Sequence, residues 1–137
     1  MDVLSRTFVA DRHMAVLRHC VKRDEPAVLL TKCVCPDRPM AGEFLMLLTR
    51  RRLVITQRTR VLQRMRLHLN AELRHLSNVT VGADERQATL EIGVTAVDGV
   101  RERFTVRLTS PEEVQAAADA CRDAFAGRRR ALTALAA

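Results

Sequence analysis

Arginine, cysteine and histidine are the residues in this chain whose types and spacing could do chemistry. Between Glu43 and Glu72 the sequence places Arg50, Arg51, Arg52, Arg58, Arg60, Arg64 and Arg66, with no acidic residue among them. Guanidinium grips phosphate and carboxylate through paired, charge-assisted hydrogen bonds, so this stretch is a candidate binding surface for an anion or a partner. Arg50, Arg51 and Arg52 would occupy a hairpin tip. Arg58, Arg60, Arg64 and Arg66 share even positions on two adjacent strand-like runs and would form one ladder on an outer sheet face. Like charges directly opposite one another cost stability, so solvation alone explains such a zone poorly. Glu72, Glu91 or Glu102 could still neutralise it from elsewhere in the fold.

Arginine supplies 21 of the 23 basic residues, the others being Lys22 and Lys32. That bias fits anion recognition, and it fits GC-rich coding equally well, given the many Ala, Val and Leu residues. A net charge of +7 and a pI near 10.5 favour acidic partners: a lipid surface, a nucleic acid or a protein.

The four cysteines, Cys20, Cys33, Cys35 and Cys121, read as reduced, buried thiols. Cys33 and Cys35 share a strand face and could form a metal edge with His13, His19, Cys20 or Cys121. Structural zinc sites, however, present cysteine pairs two to four residues apart from a knuckle loop, so no metal is expected. His13, His19 and His75 each follow an arginine, and neither they nor His68 has a nearby acid to orient the imidazole. No catalytic constellation and no glycine-rich phosphate loop is visible, and no cofactor is expected.

The 137 residues suit one domain. With four Phe and no Tyr or Trp, aliphatic side chains must fill the core, and platforms for stacking nucleic-acid bases are scarce. The longest apolar run, residues 44–48, is far too short to span a bilayer, and the first residues do not read as a signal peptide. These features lead to an expected cytoplasmic location, with peripheral attachment at the inner face of the membrane open to it.

The elements that must position the arginines can be read in order. Val3, Thr7, Ala10, Met14, Leu17 and Val21 recur at helical spacing, predicting a helix over 1–23, although Asp11 could cap a shorter one. Residues 27–35, 44–49 and 53–58 read as three strands, the last two forming a hairpin around the arginine triplet. From Val61 to Asn70 a fourth strand alternates, with Met65, Leu67 and Leu69 inward and Arg64, Arg66 and His68 outward. A connector with Leu73 and Leu76 leads to a fifth strand near 78–82. The sixth and seventh strands run over 87–96 and 100–108. Their register follows from facing: a three-residue loop 97–99 with Gly99 left-handed pairs Ile92 with Phe104 and Leu90 with Val106. Ser110, Pro111 and Glu113 form a helix start. Val114, Ala117, Ala118, Cys121 and Phe125 then make one apolar stripe, with a stop expected at Gly127.

Seven strands followed by one helix, with Gly42-Glu43-Phe44-Leu45-Met46-Leu47-Leu48-Thr49-Arg50-Arg51-Arg52-Leu53-Val54-Ile55 and Leu67-His68-Leu69-Asn70-Ala71-Glu72-Leu73, resemble bacterial PH-like and GRAM-like domains of the pleckstrin-homology superfold. The resemblance covers residues 24–126, with residues 127–137 as a basic and apolar tail. It implies an α+β, mainly β fold: a seven-stranded antiparallel barrel of two orthogonal sheets capped by the C-terminal helix, here with an extra N-terminal helix. It also implies a non-enzymatic adaptor that docks a protein partner or an anionic membrane surface through the arginine-rich hairpin face. The alternative is a nucleic-acid-binding protein using the same arginines on phosphates. The usual phosphoinositide signature, basic residues around the first loop, is thin here, with Lys32 and Arg38 beside Asp37.

Overall fold

The computed structural model describes residues 25–60 and 62–136, with side chains as far as residue 127, so the expected helix over 1–23 lies outside the described residues. Seven strands come first: β1 (Ala27–Cys33), β2 (Glu43–Thr49), β3 (Arg52–Arg58), β4 (Met65–Glu72), β5 (Ser77–Asp84), β6 (Thr89–Thr95) and β7 (Arg101–Arg107). Helix α1 (Pro111–Ala136) follows. The first four strands form one antiparallel sheet in sequence order, and the last three form a second. The fold is therefore mainly β with one C-terminal helix, as expected.

The sheets do not close into the expected barrel. At one edge Val34, just beyond β1, exchanges backbone hydrogen bonds of 2.8 and 2.9 Å with Thr105 of β7. At the other edge a 3-10 turn (Leu73–His75) separates β4 from β5, and no ladder joins them. Leu73 and Leu76 bury their side chains in the core, which draws this connector inward and off the sheet.

β2 and β3 are apolar almost without a break because both of their faces are covered. Phe44, Met46, Leu48, Leu53 and Ile55 enter the main core with Leu90, Ile92, Phe104 and Val106. Leu45, Leu47 and Val54 point the other way and form a separate buried cluster.

The hairpin of β6 and β7 has the register that facing predicts, Ile92 opposite Phe104 and Leu90 opposite Val106, with Gly99 at φ +85°. The fourth strand differs from expectation in two ways. It starts at Met65, because a Thr59 N–H bond to the Arg64 carbonyl (2.8 Å) closes residues 59–64 into a loop, with Gln63 left-handed. It also carries a β-bulge: Ile55 faces Leu69 and Thr56 faces Leu67, leaving His68 as the extra residue. His68 turns inward, its ring edge-on to Phe44 and Phe104, and Leu67 turns outward.

Helix α1 begins as its sequence dictates. Ser110 Oγ accepts the Glu113 N–H at 3.2 Å, while Glu113 reaches back to the N–H and hydroxyl of Thr109, one residue beyond the usual capping-box partner. Val114, Ala117, Ala118, Cys121 and Phe125 are buried as one stripe. Gly127 does not stop the helix, which runs on to Ala136. One helical glycine costs only about 1 kcal/mol against alanine, and the arginines, alanines and leucines that follow are among the strongest helix formers.

Gly42 fixes the loop between β1 and β2 against the end of β3. It sits at φ +108°, and an added Cβ would lie 2.3 Å from the Arg58 carbonyl oxygen. Gly42→Ala is expected to lose at least about 1–2 kcal/mol from the left-handed backbone alone, whereas Gly82→Ala, with open space around it, should change little. Urea unfolding of the two variants checks the contrast.

Candidate functional site

The seven arginines do not share one face. Arg50, Arg51 and Arg52 lie at the β2–β3 turn, while Arg58, Arg60, Arg64 and Arg66 lie around the opposite end of β3. Arg52 and Arg58 are the two ends of the seven-residue strand β3, a distance of about 20 Å. The expected ladder is also broken: the bulge at His68 places Arg58 opposite Met65 and Arg66 opposite Gln57, so Arg58 and Arg66 fall on opposite faces of the sheet.

Most of the charge at the turn end is neutralised. The Thr49 hydroxyl accepts the N–H groups of Arg51 and Arg52 at 3.1 and 3.0 Å, shaping the tip. It also donates to Glu25 Oε2, and that carboxylate lies 3.3 Å from Arg52 Nε. Arg50 Nη1 meets Asp123 of α1 at 2.9 Å. Arg51 is exposed and has no carboxylate partner among the described residues.

The other end is different. Arg58 faces Glu43 across the β2–β3 ladder, their charged atoms 3.7 Å apart. Arg60, Arg64 and Arg66 are exposed and meet no carboxylate among the described residues. Two loops bring them together. The first, residues 34–42, is tied to β3 by a 2.6 Å bond from Gln57 Nε2 to the Ala41 carbonyl and by the close approach of Gly42. The second is the 59–64 loop, whose Thr59 hydroxyl also accepts the Arg64 N–H at 3.0 Å.

Between the loops lies an open hollow of about 330 Å³ walled by Pro39, Gly42, Arg58, Arg60 and Gln63. A second hollow of about 630 Å³ beside it is lined by Met40, Arg60, Leu62, Arg64 and Arg66. Met40 is 69% exposed and Leu62 65%. Arg60 Nη1 rests 3.3 Å from Met40 Sδ, joining the loops at their tips. Apolar tips ringed by cations are the feature that sequence reasoning missed. Each residue was visible in the chain, but only the folded loops set Met40 beside Leu62.

A second polar group lies inside the fold. Facing His68 Nε2 at 3.3 Å is Glu102 Oε2, and Glu102 also meets Arg38 at 3.8 Å. The sequence pointed His68 outward without an acid; the bulge supplies one. Cys35 is buried nearby, and its thiol is pushed up to about 11, first by burial and then by the Glu102 carboxylate. Burial raises the Cys33 thiol further still. A nucleophilic cysteine needs the reverse, cations or a helix N-terminus that favour the thiolate. Among the described residues no group of three or more His, Cys, Asp or Glu side chains is arranged to hold a metal ion.

Because the folded protein holds both thiols above their ordinary value of 9.0, the unfolded chain releases these protons first as pH rises. Their contribution to stability is complete below pH 9 and is lost progressively above it, toward about 11 for Cys35. The urea midpoint is expected to fall over that window, less so in a Cys33→Ala/Cys35→Ala variant. An equal fall in both proteins would assign the effect to other groups. No protein-family model matches this sequence, and no curated protein sequence matches it.

Proposed function

We propose that this protein is a non-enzymatic interaction module of the PH-like kind, which docks on an anionic membrane surface through the loop end of its first sheet. The observation that carries this reading is the set of exposed guanidinium groups of Arg60, Arg64 and Arg66, which meet no carboxylate among the described residues, around exposed Met40 and Leu62. A four-stranded and a three-stranded antiparallel sheet followed by a helix accord with the PH-like superfold.

Magnitudes favour a lipid surface over charge attraction alone. Three arginines beside an acidic leaflet contribute about 3 kcal/mol, which corresponds to binding weaker than millimolar. Burying Met40 and Leu62 in the headgroup region adds about 1.5–3 kcal/mol each. Together these reach about 6–9 kcal/mol, in the micromolar range. An acidic protein would meet the same cations but would leave the two apolar tips without a purpose unless it supplied a matching apolar pocket.

Vesicle sedimentation tests the proposal. The wild type is expected to pellet with phosphatidylserine-containing vesicles and to stay in solution with neutral ones. Arg60→Glu/Arg64→Glu should weaken binding at least about 30-fold, the loss of two favourable terms of about 1 kcal/mol each, with the reversed charges adding to it. Met40→Asp/Leu62→Asp should weaken it comparably. Arg50→Glu, at the far end and paired with Asp123, should change little. Loss on charge reversal with no effect at the apolar tips, together with duplex DNA binding at a log–log salt slope near −3, would replace the membrane by nucleic acid. Capture of an acidic protein from lysate, without vesicle binding, would replace it by a protein partner.

A further inference from the structure

Among the described residues, Met40 carries the most exposed sulfur. Met40 is 69% exposed, whereas Met46 lies in the core at 0%, Met65 is half-buried and the described cysteines are buried. The loop holds Met40 in that position. Ala41 N–H donates to the Arg38 carbonyl at 3.2 Å, closing a turn with Pro39 and Met40 at its two central positions. Arg38 N–H donates to the Cys35 carbonyl at 2.9 Å, and Gln57 fastens the Ala41 carbonyl to β3. A side chain at the tip of a turn tied on both sides cannot withdraw into the fold, so a change in its chemistry is felt at the surface. One cation is already aimed at the sulfur: Arg60 Nη1 lies 3.3 Å from Met40 Sδ, and this guanidinium meets no carboxylate among the described residues. A thioether is a weak acceptor. A sulfoxide oxygen in the same place would accept a far stronger, charge-assisted bond.

We propose that Met40 is an oxidation site, with hydrogen peroxide or a related peroxide as the oxidant, and that its sulfoxide captures Arg60. A sulfur lone pair attacks one peroxide oxygen, the S–O bond forms as the O–O bond breaks, a proton passes to the departing oxygen, and water leaves. The sulfur is oxidised by two electrons and the peroxide is reduced by the same two. Reversal requires a dithiol acting through a methionine sulfoxide reductase, the dithiol becoming a disulfide and the oxygen leaving as water. The new oxygen forms on the atom that Arg60 faces, where the guanidinium can donate to it. One oxygen atom thus alters two features of the loop end together: the apolar tip becomes polar, and one of its three exposed cations is drawn onto the protein. The consequence for binding rests on the loop-end docking proposed above; the chemistry at the sulfur does not.

Peroxide treatment of the full-length protein with peptide mapping is expected to place an oxygen on Met40 severalfold faster than on Met46. On phosphatidylserine-containing vesicles the oxidised protein should bind at least about tenfold more weakly, the effect of losing one buried apolar side chain. Methionine sulfoxide reductase with dithiothreitol should restore the binding. Met40→Leu, whatever its starting affinity, should lose nothing on the same treatment. NMR of protein with isotope-labelled arginine reads the capture itself. The Arg60 Nε–H signal, assigned by its loss in Arg60→Gln, should shift when the wild type is oxidised and stay in place in Met40→Leu. Oxidation of Met40 no faster than that of Met46, or an Arg60 signal unmoved by it, would overturn the inference. So would wild-type vesicle binding that is equal before and after oxidation, or an equal loss of binding in Met40→Leu. If the unoxidised wild type does not bind these vesicles, loop-end docking fails, and mapping and NMR alone decide the capture of Arg60.

Discussion

The structure depends on a hairpin that is apolar on both faces. β2 and β3 send Phe44, Met46, Leu48, Leu53 and Ile55 one way and Leu45, Leu47 and Val54 the other. A single sheet with such a hairpin at its centre cannot face water on either side without exposing a large apolar patch. The second sheet and helix α1 satisfy one face. Leu45, Leu47 and Val54 on the other face are buried as well, and Glu25 is fastened to Thr49 and Arg52 at its edge. The charged residues of this hairpin, Glu43, Arg52 and Arg58, therefore sit at its ends.

That displacement sorts the arginines. At the turn end, Glu25 and Asp123 arrive from distant parts of the chain and neutralise Arg52 and Arg50. These are structural ion pairs; the partly buried Arg52–Glu25 pair is set by its surroundings, and the exposed Arg50–Asp123 pair contributes little. At the loop end, Glu43 meets Arg58. The remaining cations, Arg60, Arg64 and Arg66, are exposed beside Met40 and Leu62, and the proposed docking rests on that arrangement.

A single extra residue in β4 shapes the interior just as strongly. With His68 bulged inward, the imidazole fills the space between Phe44 and Phe104 and meets Glu102, which in turn holds Arg38 of the first loop. The same bulge sends Leu67 to the surface and separates Arg58 from Arg66. Core packing, the anchoring of the first loop and the distribution of charge are thus coupled through one irregularity in a ladder.

Local chemistry alone determined much of this fold. Alternation and facing were enough for the β6–β7 register, because a one-residue slip would have pointed Ile92 and Leu90 at polar partners. Ser110, Pro111 and Glu113 set the start of α1, since capping involves only neighbours, and apolar spacing marked its buried stripe. What the sequence left open was decided by contacts between distant residues. The bulge at His68 exists because the pocket between Phe44 and Phe104 accepts a ring, and those side chains come from β2 and β7. The open edge between β4 and β5 follows from burial of Leu73 and Leu76 under the rest of the core. The division of the arginines into neutralised and free depends on carboxylates up to 73 positions away in the chain, and no periodicity within residues 42–70 could reveal them.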